Sequence, residues 1–465
     1  MRSPKRRPIS ALWLALGLAA AVVLVGRLLL GTPLPLRAVP SAPWVAGSCV
    51  AKVQRHLASI ERLNAEYRCL IEITSAEVLL AHAARLDANA AAMRGPLFCV
   101  LAAVKDNIET DFKTWGLHTA AGNIAVAELL PPADRSAPFM QNLERAGVVV
   151  VGKANMDDFA LGYQSLSSRG GQTIYPSDKR RFPGGSSGGS AVCVAIGAAE
   201  LGVGTDTGGS VRIPASFNGL FGLRPSLGAI SVDGVVPLSA SRDTIGFLAK
   251  DPVLINAALR VASASSKQCD LSKPVRVAAL TDLFALPDDL EPAFEAALRT
   301  LRASELRGVV TRDELAGQKS TSVYEFARDA NAYFASRGHA DVTVAKCASL
   351  TRERGFDALA VQIEKKLVPR SLPSAHVKQW QALKDRLMVL LVEHDALVLP
   401  TFSAPPTLLS KHKQQFCPLN RLAASTGLAA LSVPVGRAKA TGLPIGLEAV
   451  SADACVLMRV AARLA

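Results

Sequence analysis

A chain of 465 residues with 49% hydrophobic content can bury a large core, and its composition is that of a globular protein. Its formal charge of +13 raises the question of nucleic acid, but the basic residues are scattered rather than striped and no aromatic–basic RNA or DNA motif occurs, so no nucleic-acid partner is expected. The eight cysteines form no CxxC and there is no HExxH, so no metal site is expected; most cysteines, such as Cys193 in "AVCVAIG", read as small core residues rather than a disulfide framework.

The chain opens with a basic region, residues 1–10, "MRSPKRRPIS". From Ala11 to Leu30 the only charge is Arg27, and twenty helical residues span ~30 Å, about the hydrocarbon thickness of a bilayer. The stretch 11–30 therefore reads as a signal anchor or a signal-peptide helix. Basic residues ahead of it favour a cytoplasmic N-terminus with the remainder exported. No good small-x-small cleavage site follows, which favours a retained anchor and a membrane-tethered, extracytoplasmic domain; secretion after cleavage is the alternative. Residues 31–48 are a proline-rich spacer, and 49–465 are expected to fold as one domain.

Within that domain, "VAKVQRHLASIERLNAEYRCLIEI" has helical spacing throughout, and "SAEVLLAHAARLDANAAAM" is an alanine-rich helix opened by Ser75. "FCVLAAV" reads as a buried strand ending at Lys105. "SAPFMQNLERAG" and "VVVVGKANM" read as a helix and then a buried strand, and "SAVCVAIGAAELG" is a small-residue helix leading into "VGTDTGG". From about Val275 to Asp395 amphipathic helices dominate. "DALVLPTF" and "AALSVPVG" read as strands, and "ACVLMRVAARLA" closes the chain as a helix. The pattern is α/β: one large domain with a central mixed β-sheet covered by helices, behind an N-terminal hydrophobic helix.

Residues 184–226 place two glycine-flanked serine sites 24 residues apart, Ser186 and Ser187 in the first and Ser210 in the second, with no histidine nearby. No GxxxxGK[ST] or GxGxxG supports a phosphate-binding reading. GxSxG is matched formally, but the later histidines His339, His376, His394 and His412 lack the strand-end context of a nucleophile elbow. A lysine base is the alternative. Serine must lose its proton as it attacks a carbonyl, and a lysine can accept it only when neutral, which burial favours. Lys105, after the apolar "CVLAAV", suits this; for Lys105 alone a salt bridge to Asp106 would be the plainer reading.

The stretch "GGSSGGSAVCVAIG…GTDTGGSVRIPASFNGLFGLRPS" closely resembles the core of the amidase signature family. The likeness extends to "GPLFCVLAAVKDNIET", "GKANMDDFALG", "SRDTIGF" and "GLPIGLEAV", so it covers roughly residues 50–465. The resemblance implies a Ser-cisSer-Lys triad, with Ser210 as nucleophile, Ser186 as bridging serine and Lys105 as base. It also implies an oxyanion hole of backbone N–H groups from Thr207, Gly208, Gly209 and Ser210. Ser187 is then a supporting neighbour, and Asp206 and Arg212 are expected to orient the loop. Cys99 and Leu101 stand where the family usually has glycine and proline, and Phe247 and Ala429 stand where proline is common.

The implied activity is amidohydrolase chemistry on a linear carboxamide, through an acyl-enzyme and without a cofactor. The substrate would be a small-molecule, peptide or lipid amide. The anchor would bring the membrane close, and a homodimer is allowed. Two alternatives stay open: a glutamine-dependent amidotransferase A-type subunit, which "GKANMDDFALG" resembles, and a membrane-tethered homologue without turnover.

Overall fold

The computed structural model describes residues 48–465 apart from 90–94, 264–268, 319, 368–370 and 412–417. The basic region 1–10, the hydrophobic segment 11–30 and all of the spacer but Ser48 lie outside the described residues. Ser48 caps the first helix, Cys49–Tyr67, by accepting the Ala51 N–H.

That helix stops short of the expected end. Arg68 takes a left-handed conformation, φ 50° and ψ 42°, and the following "LIEI" is a strand. Asn64 makes the turn by exchanging two hydrogen bonds with the Leu70 backbone, and two isoleucines then suit a pleated strand better than another helical turn. The next helix, Ala76–Ala88, begins as expected, with the Ser75 hydroxyl accepting the Val78 N–H.

The strands in chain order are β1 Leu70–Ile73, β2 Leu101–Lys105, β3 Val149–Ala154, β4 Leu166–Ser167, β5 Gly171–Gln172, β6 Leu201–Asp206, β7 Phe221–Arg224, β8 Thr244–Ala249, β9 Val277–Leu280, β10 Ser304–Leu306, β11 Ala396–Pro400, β12 Ala429–Arg437 and β13 Pro444–Ser451. β4 and β5 pair with each other. The other eleven form one mixed sheet in the order β1-β3-β2-β6-β8-β7-β12-β13-β11-β9-β10. β2 runs parallel to β3 and β6, while β6–β8–β7–β12–β13 is antiparallel throughout. Every residue of β2, β3, β6 and β8 is buried, because helices cover both faces, and this explains their near-continuous apolar runs.

The cysteines correct the expectation of isolated core residues. Cys49 is bonded to Cys99, Cys69 to Cys193, and Cys269 to Cys455, with Cα separations of 5.6, 5.6 and 5.2 Å; Cys347 is a buried free thiol. Partners 50 to 186 residues apart in sequence cannot be recognised from spacing. Cys99 adopts φ 58°, the conformation glycine takes without steric cost, so its departure from the family pattern is coupled to the Cys49 bond. Leu101 opens β2, Phe247 is buried in β8 and Ala429 opens β12.

Six fewer thiols should titrate in denaturant before reduction than after it. Eight before reduction would show that the three bonds do not form.

Candidate active site

Lys105 is the last residue of β2 and is fully buried. The parallel neighbour β6 supplies its surroundings: Nζ donates to the Thr205 hydroxyl at 2.8 Å and the Thr205 carbonyl at 3.3 Å. Its third contact is the Ser186 hydroxyl, at 2.8 Å. Burial lowers the Lys105 pKa to about 7, with the nearby carboxylates of Asp157, Asp206 and Asp243 resisting the shift. Burial thus lowers the proton affinity of Lys105, in the direction its apolar approach leads one to expect.

Ser186 follows a cis peptide bond from Gly185 and precedes the helix Gly188–Ala195. Ser187 Oγ is tied to the Thr205 backbone: it donates to the carbonyl at 3.2 Å and accepts the N–H at 3.3 Å. Ser165 braces the other side, donating to the Gly184 carbonyl and accepting the Gly188 N–H, both at 2.9 Å. Close backbone approach is obligatory here. A Cβ on Gly185 would come within 2.4 Å of an Asp157 carboxylate oxygen, and one on Gly189 within 2.3 Å of the Asn155 carbonyl.

Ser210 lies on the turn between β6 and the helix Arg212–Asn218, 3% exposed. Its carbonyl accepts the Ser187 N–H at 3.0 Å, which joins the two serine loops. No hydrogen bond links the Ser186 and Ser210 hydroxyls. The structure thus brings Lys105 and Ser186 into direct contact and sets Ser210 against them through backbone.

Asp206 shapes the Ser210 loop from beneath. Its Oδ1 accepts the Gly209 N–H at 2.8 Å and its Oδ2 the Val211 N–H at 3.1 Å. The Gly209 N–H, one of the expected oxyanion donors, is thereby already engaged. Burial opposes the Asp206 charge, but Arg212 and Arg224 outweigh it and hold the carboxyl well below the usual range. Arg212 pairs with Asp206 at 2.9 Å and with Glu448 at 2.5 Å, and Arg224 reaches Asp206 at 3.2 Å. The Thr207 hydroxyl donates to Asp243.

Sequence reasoning missed Thr205, Asp157, Ser165 and Asp243. Asp157 stood in plain view in "GKANMDDFALG", yet nothing local says that it folds back on Gly185. Burial raises its pKa to about 6, against the N–H groups of Ser165 and Gln164 and the charge of Lys105. Among the described residues no cluster of histidine, cysteine and carboxylate groups could hold a metal ion.

A buried lysine–serine contact lies at the strand ends of this sheet, and comparison with known proteins gives the class of protein that carries it. The chain belongs to the amidase family, whose model matches residues 51–454. Members of this family are amidohydrolases acting on C–N amide bonds. The chain is 30% identical to the A subunit of the glutamyl-tRNA(Gln) amidotransferase of Koribacter versatilis, over 79% of this chain and 84% of the relative. Its counterpart in Deinococcus radiodurans is 32% identical, over 76% and 80%. Among solved structures, the peptide amidase of Stenotrophomonas maltophilia superposes with a TM-score of 0.77 at 25% identity, over 95% of each chain.

These relatives correct the expected location. Their name ties them to glutamyl-tRNA(Gln), which runs against a catalytic domain exported behind an anchor or secreted. Among the described residues no helix is long and apolar enough to cross a membrane, and the segment expected to do so lies outside them. The membrane partner has no support.

Lys105 must be neutral to accept a proton, so kcat/KM should rise with pH through about 7 and level off above it; a profile flat down to pH 5 would remove Lys105 from the base role. Replacing Arg212 with Met strands the buried Glu448 charge and leaves Asp206 with Arg224 alone, and the loss of stability should reach about 3–5 kcal/mol in urea unfolding.

Proposed function

We propose that this chain cleaves a carboxamide through an acyl-enzyme on Ser210, with Ser186 and Lys105 as the proton relay. The supporting observation is the buried 2.8 Å contact from Lys105 Nζ to Ser186 Oγ beside the Ser210 loop. As Ser210 Oγ bonds to the amide carbon, its proton passes to Ser186 Oγ and that of Ser186 to Lys105 Nζ. The carbonyl oxygen gains the negative charge and is held by the Thr207, Gly208 and Ser210 N–H groups; each such donor contributes on the order of 3 kcal/mol. Collapse breaks the C–N bond, and the lysine proton returns through Ser186 to the departing nitrogen. Water then attacks the ester by the same relay, releasing the carboxylate and restoring Ser210.

The leading reading of the substrate is the side-chain amide of glutamine, with the chain acting as an amidotransferase A-type subunit. Its support is the naming of relatives at 30–32% identity over more than three quarters of this chain. The second reading is a free-standing peptide amidase, favoured by the likeness to the Stenotrophomonas enzyme.

Ammonia release from glutamine, C-terminal peptide amides and fatty amides separates them in one assay of the full chain, with Ser210→Ala and Lys105→Ala beside it. Glutamine turnover supports the first reading, and peptide-amide turnover without it supports the second. Both variants should lose at least about a hundredfold in kcat. Activity that survives Ser210→Ala would refute the nucleophile. No turnover, with no labelling of Ser210 by a fluorophosphonate, would leave a homologue without catalysis.

A further inference from the structure

The Ser210 loop meets solvent at one point. From Leu201 to Phe217 every residue is buried except Gly208, which is half-buried and stands two residues before Ser210. The other glycines of the two serine loops are kept bare by their neighbours. Asp157, Ser165 and Asn155 take the Cβ positions of Gly185, Gly188 and Gly189, and Asn420 and Ile213 take that of Gly209. Gly208 differs. Among the described residues, and apart from those adjoining it, the only atom within 4 Å of its Cβ position is the Tyr163 hydroxyl oxygen, at 3.5 Å, an ordinary van der Waals contact. Its φ lies outside the left-handed region, so the backbone does not demand glycine there either. The bare face of Gly208 therefore borders open space beside the Ser210 loop.

Tyr163 reaches that face from the other loop. Asp157 lies against Gly185 and accepts the N–H groups of Gln164 at 3.1 Å and Ser165 at 2.9 Å, so the turn carrying Tyr163 is clamped onto the Ser186 loop. The carbonyl carbon of Tyr163 comes within 2.9 Å of the place a Gly185 Cβ would take, while its hydroxyl faces Gly208. Its half-buried ring packs on the apolar cluster that includes Ile213 and Phe217, both in the helix after Ser210. One residue thus spans both serine loops, fixed at its backbone and along its ring.

We infer that the acyl chain of the substrate lies on the bare face of Gly208, and that Tyr163 is the specificity residue that walls it. The wall admits a chain that is straight next to the scissile carbonyl and rejects one that branches there. Glutamine, peptide amides and fatty amides all release ammonia, so bulk beside the reacting carbon can only be on the acyl side. An extra methyl pressed against a fixed wall costs overlap that a straight chain avoids, and one such group is worth about 10- to 200-fold in discrimination. The side chain of glutamine is straight next to its amide, whereas a peptide amide branches there. The inference rests on Ser210 being the reacting group, and it deepens that reading by naming the shape of acyl chain that fits.

The test compares pentanamide with pivalamide, its branched isomer of equal carbon count, using the full chain. The unaltered protein should prefer pentanamide by at least about tenfold in kcat/KM, and Tyr163→Ala should narrow that preference at least about tenfold, with Tyr163→Phe between. Gly208→Ala should fold with a thermal midpoint within about 4 °C of the parent, yet lose at least about tenfold on pentanamide. In the Tyr163→Ala background the same substitution should cost less, because the acyl chain can move into the vacated volume. An unchanged preference in both Tyr163 variants, an equal Gly208→Ala loss in both backgrounds, or a Gly208→Ala protein that does not fold would overturn the inference.

Calorimetric binding of pentanamide to Ser210→Ala protein gives a readout independent of turnover. Weakening of at least about tenfold when Gly208→Ala is added, relieved by Tyr163→Ala, supports the acyl site even if the protein hydrolyses no amide, which would sink the Ser210 reading alone. Equal binding with and without Gly208→Ala, or no binding at all, overturns it.

Discussion

The buried carboxylate of Asp206 is the constraint on which the site depends. It sits at the end of β6, where the chain must turn sharply and present Ser210, and it satisfies N–H groups of the turn itself, those of Gly209 and Val211. A carboxylate in that position would be expelled by its desolvation cost without two guanidinium partners, and Arg212 and Arg224 supply them from the next helix and from β7. Arg212 in turn requires Glu448 on β13. One charge network thus ties the Ser210 loop to a strand far along the chain, the Arg212–Glu448 bond alone spanning 236 residues of sequence.

The Lys105–Ser186 contact has a similar architecture with less charge. Parallel pairing of β2 with β6 brings the end of one strand beside Thr205 on the other, so Lys105 is held by that hydroxyl and carbonyl and points at Ser186. Ser187 fastens the same loop to Thr205. Because the lysine is dry, its proton affinity is lowered; because Asp157, Asp206 and Asp243 lie within electrostatic reach, that affinity does not collapse further. Glycine around Ser186 is what lets its neighbours come so close, the Asp157 carboxylate at Gly185 and the Asn155 backbone at Gly189.

Much of the fold could be read in advance from local pattern. Ser75 and the apolar period announced the helix Ala76–Ala88, and unbroken apolar runs announced β2 and β3. The error at "LIEI" was one of period: four residues cannot separate a helical turn from a strand, and the deciding bonds from Asn64 to the Leu70 backbone are visible only in space. Cysteine spacing was equally uninformative, since Cys69 and Cys193 lie 124 residues apart. Gly209 is an expected oxyanion donor only through the family resemblance, and here the nearby Asp206 takes its N–H.

The chain by itself determined which residues can do chemistry: a lysine after an apolar strand, and serines on glycine-rich turns, because residue type and local backbone freedom are written in short stretches. Tertiary structure alone decided how they are poised. The proton affinity of Lys105, the ionisation of Asp206 and the engagement of the Gly209 N–H all follow from burial and from partners brought together by the fold. Electrostatic energies inside a protein are set by what surrounds a group in space, and no window of sequence contains that.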